Sequence, residues 1–239
     1  MSRVPSGILE FAAIATLLLL APAGSQALSI LTFTAAPGWG SSSNLAYPVA
    51  GGALSGSGIQ IDSLTSITSP SHDGDTIACS GCTLSFTSGN LVSYTSGTPF
   101  ESWVFAGGVG SSVEIVGSLP DAGITSSTTL LDAIFSEDLT VTRHTPTGYS
   151  VEIGIHQGTV APTIASYFGE GSEVSETGGM TLSFLLPSVG NGGTFTSATG
   201  LSGSLTAQIP EPNTSALLTL GLVGLAWVGR SSQRERSSS

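Results

Sequence analysis

Lysine is absent from this 239-residue chain, and all five of its Lys and Arg residues are arginines. Only Arg143 lies between residues 28 and 208, together with 13 acidic residues. A chain without lysine has no P-loop, no Schiff-base lysine and no Ser-Lys dyad. A domain with a single cation also lacks the positive surface that phosphate contacts need, so we predict no nucleic-acid partner.

Charged residues of either sign are scarce as well. They form 9% of the chain, against about 25% of an average soluble domain. Mean hydropathy is nevertheless positive, so the composition does not indicate disorder. The acidity fits cation binding, repulsion from anionic glycans, or plain solubility.

Catalytic motifs are also missing. The chain contains neither a Gly-x-Ser-x-Gly elbow nor a His-Glu-x-x-His pair. Glu101, Glu114 and Glu152 lie in strand-like segments and offer carboxylates for glycoside cleavage. Alternation places Glu114 and Glu152 opposite apolar neighbours, which favours a solvated face. Trp39 and Trp103 fit either sugar stacking or a core. We predict no catalytic residue and no cofactor.

The only two cysteines are Cys79 and Cys82. A redox pair is expected at a helix N-terminus, whereas a strand-like segment begins at Thr83. A zinc site would need two more soft ligands, and the three histidines match no zinc spacing. We predict a small structural disulfide that pins a turn, with redox chemistry or metal binding as alternatives.

Asp73 and Asp75 flank a glycine and form a weak calcium candidate, because calcium binds carboxylate oxygens around tight turns. An EF-hand-type loop would need a glutamate at the twelfth position, where this chain has Leu84. A polar turn is the favoured explanation of the segment, so we predict no metal site.

Apolar–polar alternation dominates residues 28–208, and we find no convincing helical period over three turns. Short strands are predicted at 83–87, 91–94, 102–105, 113–116, 139–143, 149–155 and 180–185. Hairpin turns are predicted at 88–90, 147–148 and 191–193. Residues 128–137 are the best helical candidate, yet they are β-branched and apolar enough for a strand.

These strands predict an all-β fold, an antiparallel β-sandwich or jelly roll. Two segments lack the alternation. Residues 38–58 are rich in Ser and Gly and predict a loop over one face or an exchanged N-terminal strand. Residues 170–176 contain three glutamates and predict an exposed acidic loop.

Residues 1–27 predict a secretory signal peptide, and the alternative is a buried core helix. Arg3 gives a weak positive start, and an apolar run of signal-peptide length extends from Phe11 to Ala21. Small residues at 25 and 27 allow signal peptidase to cleave after Ala27.

The C-terminal residues carry three features in order. They are Pro210-Glu211-Pro212, an apolar run at 215–229, and the cluster Arg230, Arg234 and Arg236. As a helix the run would span roughly 22 Å, less than the roughly 30 Å of a bilayer core, so it predicts a marginal transmembrane helix. The arginines follow the run, which predicts a cytoplasmic C-terminus and an exported domain.

This order of features resembles the PEP-CTERM sorting signal of Gram-negative bacteria over residues 209–239. The resemblance implies recognition by an exosortase, an integral-membrane cysteine transpeptidase-like enzyme, and cleavage near Pro210-Glu211-Pro212. It also implies a host that makes an exopolysaccharide matrix. A plain single-pass anchor is the alternative.

We therefore divide the chain into a signal peptide (1–27), a β-rich extracytoplasmic domain (28–208) and a PEP-CTERM tail (209–239). The expected course is an inner-membrane precursor, then the cell surface or extracellular matrix. The expected function is a non-enzymatic structural or adhesive role in an exopolysaccharide layer. A secreted carbohydrate-binding module or glycan-acting enzyme is the main alternative, and a periplasmic thiol protein is a third.

Overall fold

The structure, a computed structural model, describes residues 28–40, 43–97, 100–169, 175–186, 193–195 and 199–210. These residues form the strands β1 (Leu28–Ala35), β2 (Asn44–Ala46), β3 (Ala53–Ile67), β4 (Thr76–Thr95), β5 (Glu101–Phe105), β6 (Ser112–Leu119), β7 (Ile124–Phe135), β8 (Leu139–Arg143), β9 (Gly148–Val160), β10 (Ser175–Leu185) and β11 (Thr199–Pro210). One short α-helix, α1 (Pro162–Tyr167), follows β9. All seven predicted strand segments, and most of 128–137, lie in these strands.

The strands pair antiparallel in the order β2-β3-β1-β11-β10-β9-β7-β6-β4-β5-β8. Further pairings of β3 with β4 and of β8 with β9 close the sheet on itself. Two long strands make this closure by changing partners along their length. β4 leaves β6 at Thr87 and joins β5 from Leu91, and β9 leaves β8 at Ile153 and joins β7 from His156.

The predicted all-β antiparallel class is confirmed, while the finer choice of sandwich or jelly roll stays a prediction. Among the described residues, no helix is long and apolar enough to cross a membrane. The predicted signal helix (1–27) and transmembrane helix (215–229) lie outside the described residues.

Alternating side chains build the core from the inner face of the closed sheet. In β6, for example, Val113 and Ile115 are buried while Glu114 between them is exposed. The largest fully buried side chains include Tyr47, Phe33, Phe105, Phe135, Phe168 and Phe184. Burying each large apolar side chain contributes about 1.5–3 kcal/mol, so this face carries most of the stabilisation.

Glycines inside the strands make room for larger neighbours. Gly56 of β3 pairs with Phe86 of β4, and a Cβ at Gly56 would overlap the Phe86 ring. Gly117 of β6 likewise gives space to Cys82 of β4. The high glycine content is therefore partly a packing requirement of the sheet, as well as a turn signal.

The hairpin turn predicted at 88–90 is wrong, because β4 runs through it from Thr76 to Thr95. Gly89 is required there for close packing, since a Cβ at this position would lie 2.9 Å from the Cβ of Ala106. The turn at 147–148 is confirmed, because it joins the paired strands β8 and β9. Of the turn predicted at 191–193, the first two residues lie outside the described residues.

Both predicted loops need correction. Residues 38–58 contain β2 and the start of β3, whose residues 44–46 and 55–57 pair with one another. Residues 170–174 lie outside the described residues, but Glu176 belongs to β10 and is only 1% exposed. Glu176 is therefore not part of an exposed acidic loop.

Candidate functional site

Cys79 and Cys82 form a disulfide with a Cα–Cα distance of 5.6 Å, as predicted. Both lie within β4, and the register between β4 and β6 shifts between Ser80 and Thr83. Gly81 between them has φ of +62°, a backbone conformation that glycine adopts without strain. The disulfide therefore pins a bulge inside a strand, where the sequence predicted a turn.

Asp73 and Asp75 lie in the loop between β3 and β4, and each has a local partner. Asp73 Oδ1 accepts the Thr68 N–H at 2.6 Å, and Asp75 Oδ2 lies 2.9 Å from His72 Nδ1. The His72 ring also stacks on Tyr167, the last residue of α1, with centroids 4.1 Å apart. In the described part of the chain, no cluster of three or more His, Cys, Asp or Glu could hold a metal ion. The geometry agrees with a polar turn.

Glu101 and Arg143 face each other across β5 and β8 and form an ion pair in which Glu101 is buried and Arg143 is partly exposed. Arg143 Nη1 donates to Glu101 Oε2 at 2.8 Å, and the Tyr94 hydroxyl donates to Glu101 Oε1 at 3.2 Å. The hydrogen bond to Glu101 raises the pKa of Arg143 above its ordinary value. The one arginine between the predicted ends is therefore already paired with a carboxylate.

Aromatic rings surround this ion pair and belong to the core. Trp103 is 2% exposed and packs against Tyr94 and Tyr149, with centroids 5.2 and 5.9 Å away. Its Nε1 and the Tyr149 hydroxyl are buried without a hydrogen-bond partner among the described residues. Burial raises the pKa of the Tyr149 phenol. Trp103 is thus a core side chain, while the side chain of Trp39 lies outside what the structure describes.

His156 and Glu176 form a second, fully buried pair that the sequence did not reveal. His156 Nδ1 lies 3.0 Å from Glu176 Oε1, and both side chains have no exposed area. His156 Nε2 lies 3.1 Å from the Thr206 carbonyl oxygen, which can only accept, so this nitrogen donates. Glu176 Oε2 has no partner among the described groups. The enclosure makes this pair a structural feature of the core.

Glycines lie opposite both members of the pair. His156 lies across from Gly178, and Glu176 lies across from Gly158. A Cβ at Gly178 would lie 3.0 Å from Cε1 of the imidazole, so this glycine leaves room for the His156 ring. The alternation within one strand carries no signal of the residue that lies across from it.

Two exposed carboxylates lie side by side on the outer face of the sheet. Glu114 of β6 is the direct cross-strand partner of Asp132 of β7. They line a groove of about 390 Å³, and Thr129 donates a hydrogen bond to Glu114 at 3.2 Å. The remaining lining residues are Ser55, Gly56, Ser57, Ser85, Phe86, Thr87 and Ser112. Alternation predicted the exposed side of Glu114 but not the residue opposite.

A second groove of about 610 Å³ shares Asp132 with the first. Threonines contribute much of its lining, at Thr125, Thr128, Thr129, Thr159 and Thr163. We call the two together the hydroxyl groove. The lining residues of the two grooves come from β3, β4, β6, β7, β9 and the start of α1.

The hydroxyl groove has a distinct electrostatic character. Like charges directly opposite each other on paired strands repel, and Arg143 is bound to Glu101 elsewhere. Carboxylates accept hydrogen bonds, and Ser and Thr hydroxyls both donate and accept them. The groove therefore suits a ligand with many hydroxyls or with cationic groups, and it disfavours an anionic one.

The predicted signal-peptidase and exosortase cleavage sites lie next to two paired strands. β1 and β11 pair antiparallel, and Leu28 is the cross-strand partner of Pro210. A family model described as the PEP-CTERM protein-sorting motif matches residues 208–231. The chain carries a PEP-CTERM sorting motif. The match starts inside β11 at Gln208 and includes Pro210, Glu211, Pro212 and Arg230, but it stops before Arg234 and Arg236.

In a PEP-CTERM protein this motif implies export toward the cell surface and processing by an exosortase. Of the sorting residues, only Pro210 lies within the described part of the chain. No curated protein and no solved structure matches the chain at a significant level. The β-rich domain must therefore be interpreted from its own geometry.

Proposed function

We propose that this PEP-CTERM protein is a non-enzymatic adhesive or structural protein of an exopolysaccharide layer. It reaches the surface from an inner-membrane precursor with a cytoplasmic C-terminus. The hydroxyl groove is the observation that carries the proposal, because it offers a polysaccharide an extended row of hydroxyls around two carboxylates.

Strand pairing supports attachment through side chains. Of the eleven described strands, ten have partners on both sides, and the exception, β2, has only three residues. Unpaired strand edges are the usual template for assembly by strand addition. The described domain offers almost none, so retention in a matrix must rely on a face such as the hydroxyl groove.

The state of the acidic residues supports a role without catalysis. Glu101 is held by Arg143 and Glu176 by His156, so neither faces a cleft. Glu114 and Asp132 do face one, but both are exposed, whereas a carboxyl that acts as general acid generally needs apolar surroundings.

A glycan-acting enzyme is the second candidate, and the position of Glu114 opposite Asp132 favours it. Directly paired residues have Cβ atoms about 4.5–5.5 Å apart, and retaining glycosidases hold two carboxyl groups about 5–5.5 Å apart. Release of reducing ends from the bound polysaccharide would therefore contradict the non-enzymatic proposal.

Binding to purified host exopolysaccharide tests the groove directly. We expect the double substitution Glu114→Gln with Asp132→Asn to lower the affinity for the polysaccharide at least tenfold, because two carboxylate acceptors are lost. Glu152→Gln is the matched control, since Glu152 is exposed on β9 and lines neither groove. Equal affinity of all three proteins in a sedimentation assay would remove the groove from the proposal.

Intact mass from the envelope and the medium, with and without the exosortase, tests the sorting step. We expect a mature form made of the residues from near Leu28 to near Pro210, and we expect it to disappear without the enzyme. Retention of Trp227 and Arg236 in both strains would identify the tail as an ordinary anchor and would deprive the matrix role of its main support.

A further inference from the structure

The two ends of the β-domain are held together by a central part of the sheet. Seven consecutive residue pairs join β1 to β11 without a register shift, from Leu28 with Pro210 to Thr34 with Ser204. β3 flanks β1 and β10 flanks β11, and Ile209 is fully buried. Cross-strand partners have Cα atoms about 4.5–5.5 Å apart. The backbone ends at Leu28 and Pro210 therefore lie at one edge and cannot separate without breaking the ladder.

The chain also offers very few primary amines that could act as nucleophiles. The chain has no lysine, and an arginine guanidinium stays protonated and is not a nucleophile. After cleavage behind Ala27, the α-amine of Leu28 is the only primary amine of the mature domain. Such amines ordinarily titrate at about 7.7–8.0, so a useful fraction is unprotonated near neutral pH.

We propose that the α-amine of Leu28 is the acceptor for the processed C-terminus, so that maturation closes the backbone into a circle. The inference rests on the proposed signal and exosortase cleavages. The co-reactant is a thiol enzyme that cleaves near Pro210-Glu211-Pro212 and keeps the released carbonyl as a thioester. The tail leaves with a new amine.

The closing step balances without any oxidant or nucleotide. The Leu28 nitrogen attacks the thioester carbonyl, an amide bond forms, the carbon–sulfur bond breaks, and the proton of the amine goes to the departing thiolate. Well-oriented intramolecular reactions reach effective molarities of about 10⁵–10⁸ M. Pairing of β1 with β11 supplies this orientation, so aminolysis by Leu28 is favoured over hydrolysis by water.

The site of cleavage changes only the length of the link. A carboxyl at Pro210, Glu211 or Pro212 adds at most two residues between Pro210 and Leu28. Two-residue connections are the commonest between directly paired antiparallel strands. The circle thus needs no rearrangement of the described sheet.

Trypsin offers a sharp test, because Arg143 is the one trypsin site between residues 28 and 212. The mature protein is purified from the exosortase-containing host, denatured and digested. We expect an intact mass one water lighter than the linear chain of the same residues, no reaction with amine-labelling reagents, and a single tryptic product. The disulfide lies wholly on one side of Arg143 and cannot hold two fragments together.

Two tryptic fragments from a correctly processed linear chain would overturn the circular form and leave the sorting proposal intact. A mature chain carrying an added amine-bearing group would also overturn it, since the acyl group would then go to an external acceptor. A chain that keeps its tail would defeat both proposals together. Protein from the exosortase-deficient strain is the linear reference.

Discussion

At the scale of single residues, the charges inside the sheet are arranged in pairs. Glu101 is held by the only arginine of the β-domain, and Glu176 by a histidine with no exposed area. Removing one partner of such a pair leaves the other polar group buried without its hydrogen bond, which costs more than the pair itself contributes. Single and double substitutions must therefore give different results.

His156→Leu should destabilise the domain by about 1–3 kcal/mol, because Glu176 then remains buried without a hydrogen-bond partner. Replacement of both residues, as His156→Leu with Glu176→Met, should cost less than the single change. The donor to the Thr206 carbonyl is lost in both variants, so that contribution cancels. Urea unfolding at pH 7 measures the difference, and equal losses would contradict a penalty for the unpaired carboxyl group.

Tyr149 should make stability fall at alkaline pH. Burial raises the pKa of its phenol, and this outweighs the opposing effect of the nearby Arg143 cation. The folded state therefore keeps the proton after the unfolded chain has lost it, so stability declines as the pH rises above about 10. Tyr149→Phe should show a flatter stability profile there, and parallel urea-unfolding profiles for the two proteins would exclude this role.

Sequence patterns predict which side of a strand a residue occupies far better than they predict what lies across from it. Alternation gave the exposed positions of Glu114 and Glu152 correctly. It missed the burial of Glu176, because the partner of that side chain, His156, lies in another strand. The disulfide and the sorting motif were predictable because their residues lie close together in the sequence. The hydroxyl groove and the buried pair were not, because their residues come from different strands.

At the scale of elements, β4 shows why local signals mislead. Its residues 83–87 and 91–94 were predicted as two strands with a turn between them, yet β4 runs unbroken for 20 residues. Gly89 is a residue type typical of turns, but here it allows close contact with Ala106. The length of β4 is set by its pairing first with β6 and then with β5, and a short stretch of sequence around Gly89 carries no information about those partners.

The disulfide within β4 should contribute modestly to stability. The cysteines are only three positions apart, and constraining so short a loop is worth about 2 kcal/mol in the chain-entropy description. Replacing both cysteines with alanine should lower the free energy of unfolding by about this amount and leave the strand register intact. Urea unfolding and amide exchange at Ser118 check the two parts, and loss of the β4–β6 pairing would contradict the second.

At the scale of the whole molecule, the sheet is complete only when its last strand is present. β11 pairs with both β1 and β10, and it supplies the buried Leu205, Ala207 and Ile209. Contacts between chain positions so far apart form late and slowly. The strand that completes the fold is also the strand into which the sorting motif extends.

A chain that stops before Thr199 should therefore fail to fold, whereas one that ends at Pro210 should fold like the mature protein. The shorter chain leaves β1 and β10 with unpaired edges and opens the core. Amide chemical-shift dispersion and sedimentation distinguish the two states. A folded, monomeric shorter chain would show that closure of the sheet is dispensable.

Closure of the sheet also determines how the domain carries mechanical load. Each terminal strand lies between two neighbours, β1 between β3 and β11, and β11 between β1 and β10. Ladder hydrogen bonds are perpendicular to the strands, so tension along β11 shears two ladders at once and loads their bonds together. An edge strand would peel away one bond at a time. In a swelling or flowing matrix, force that pulls along a terminal strand therefore meets the combined resistance of two ladders.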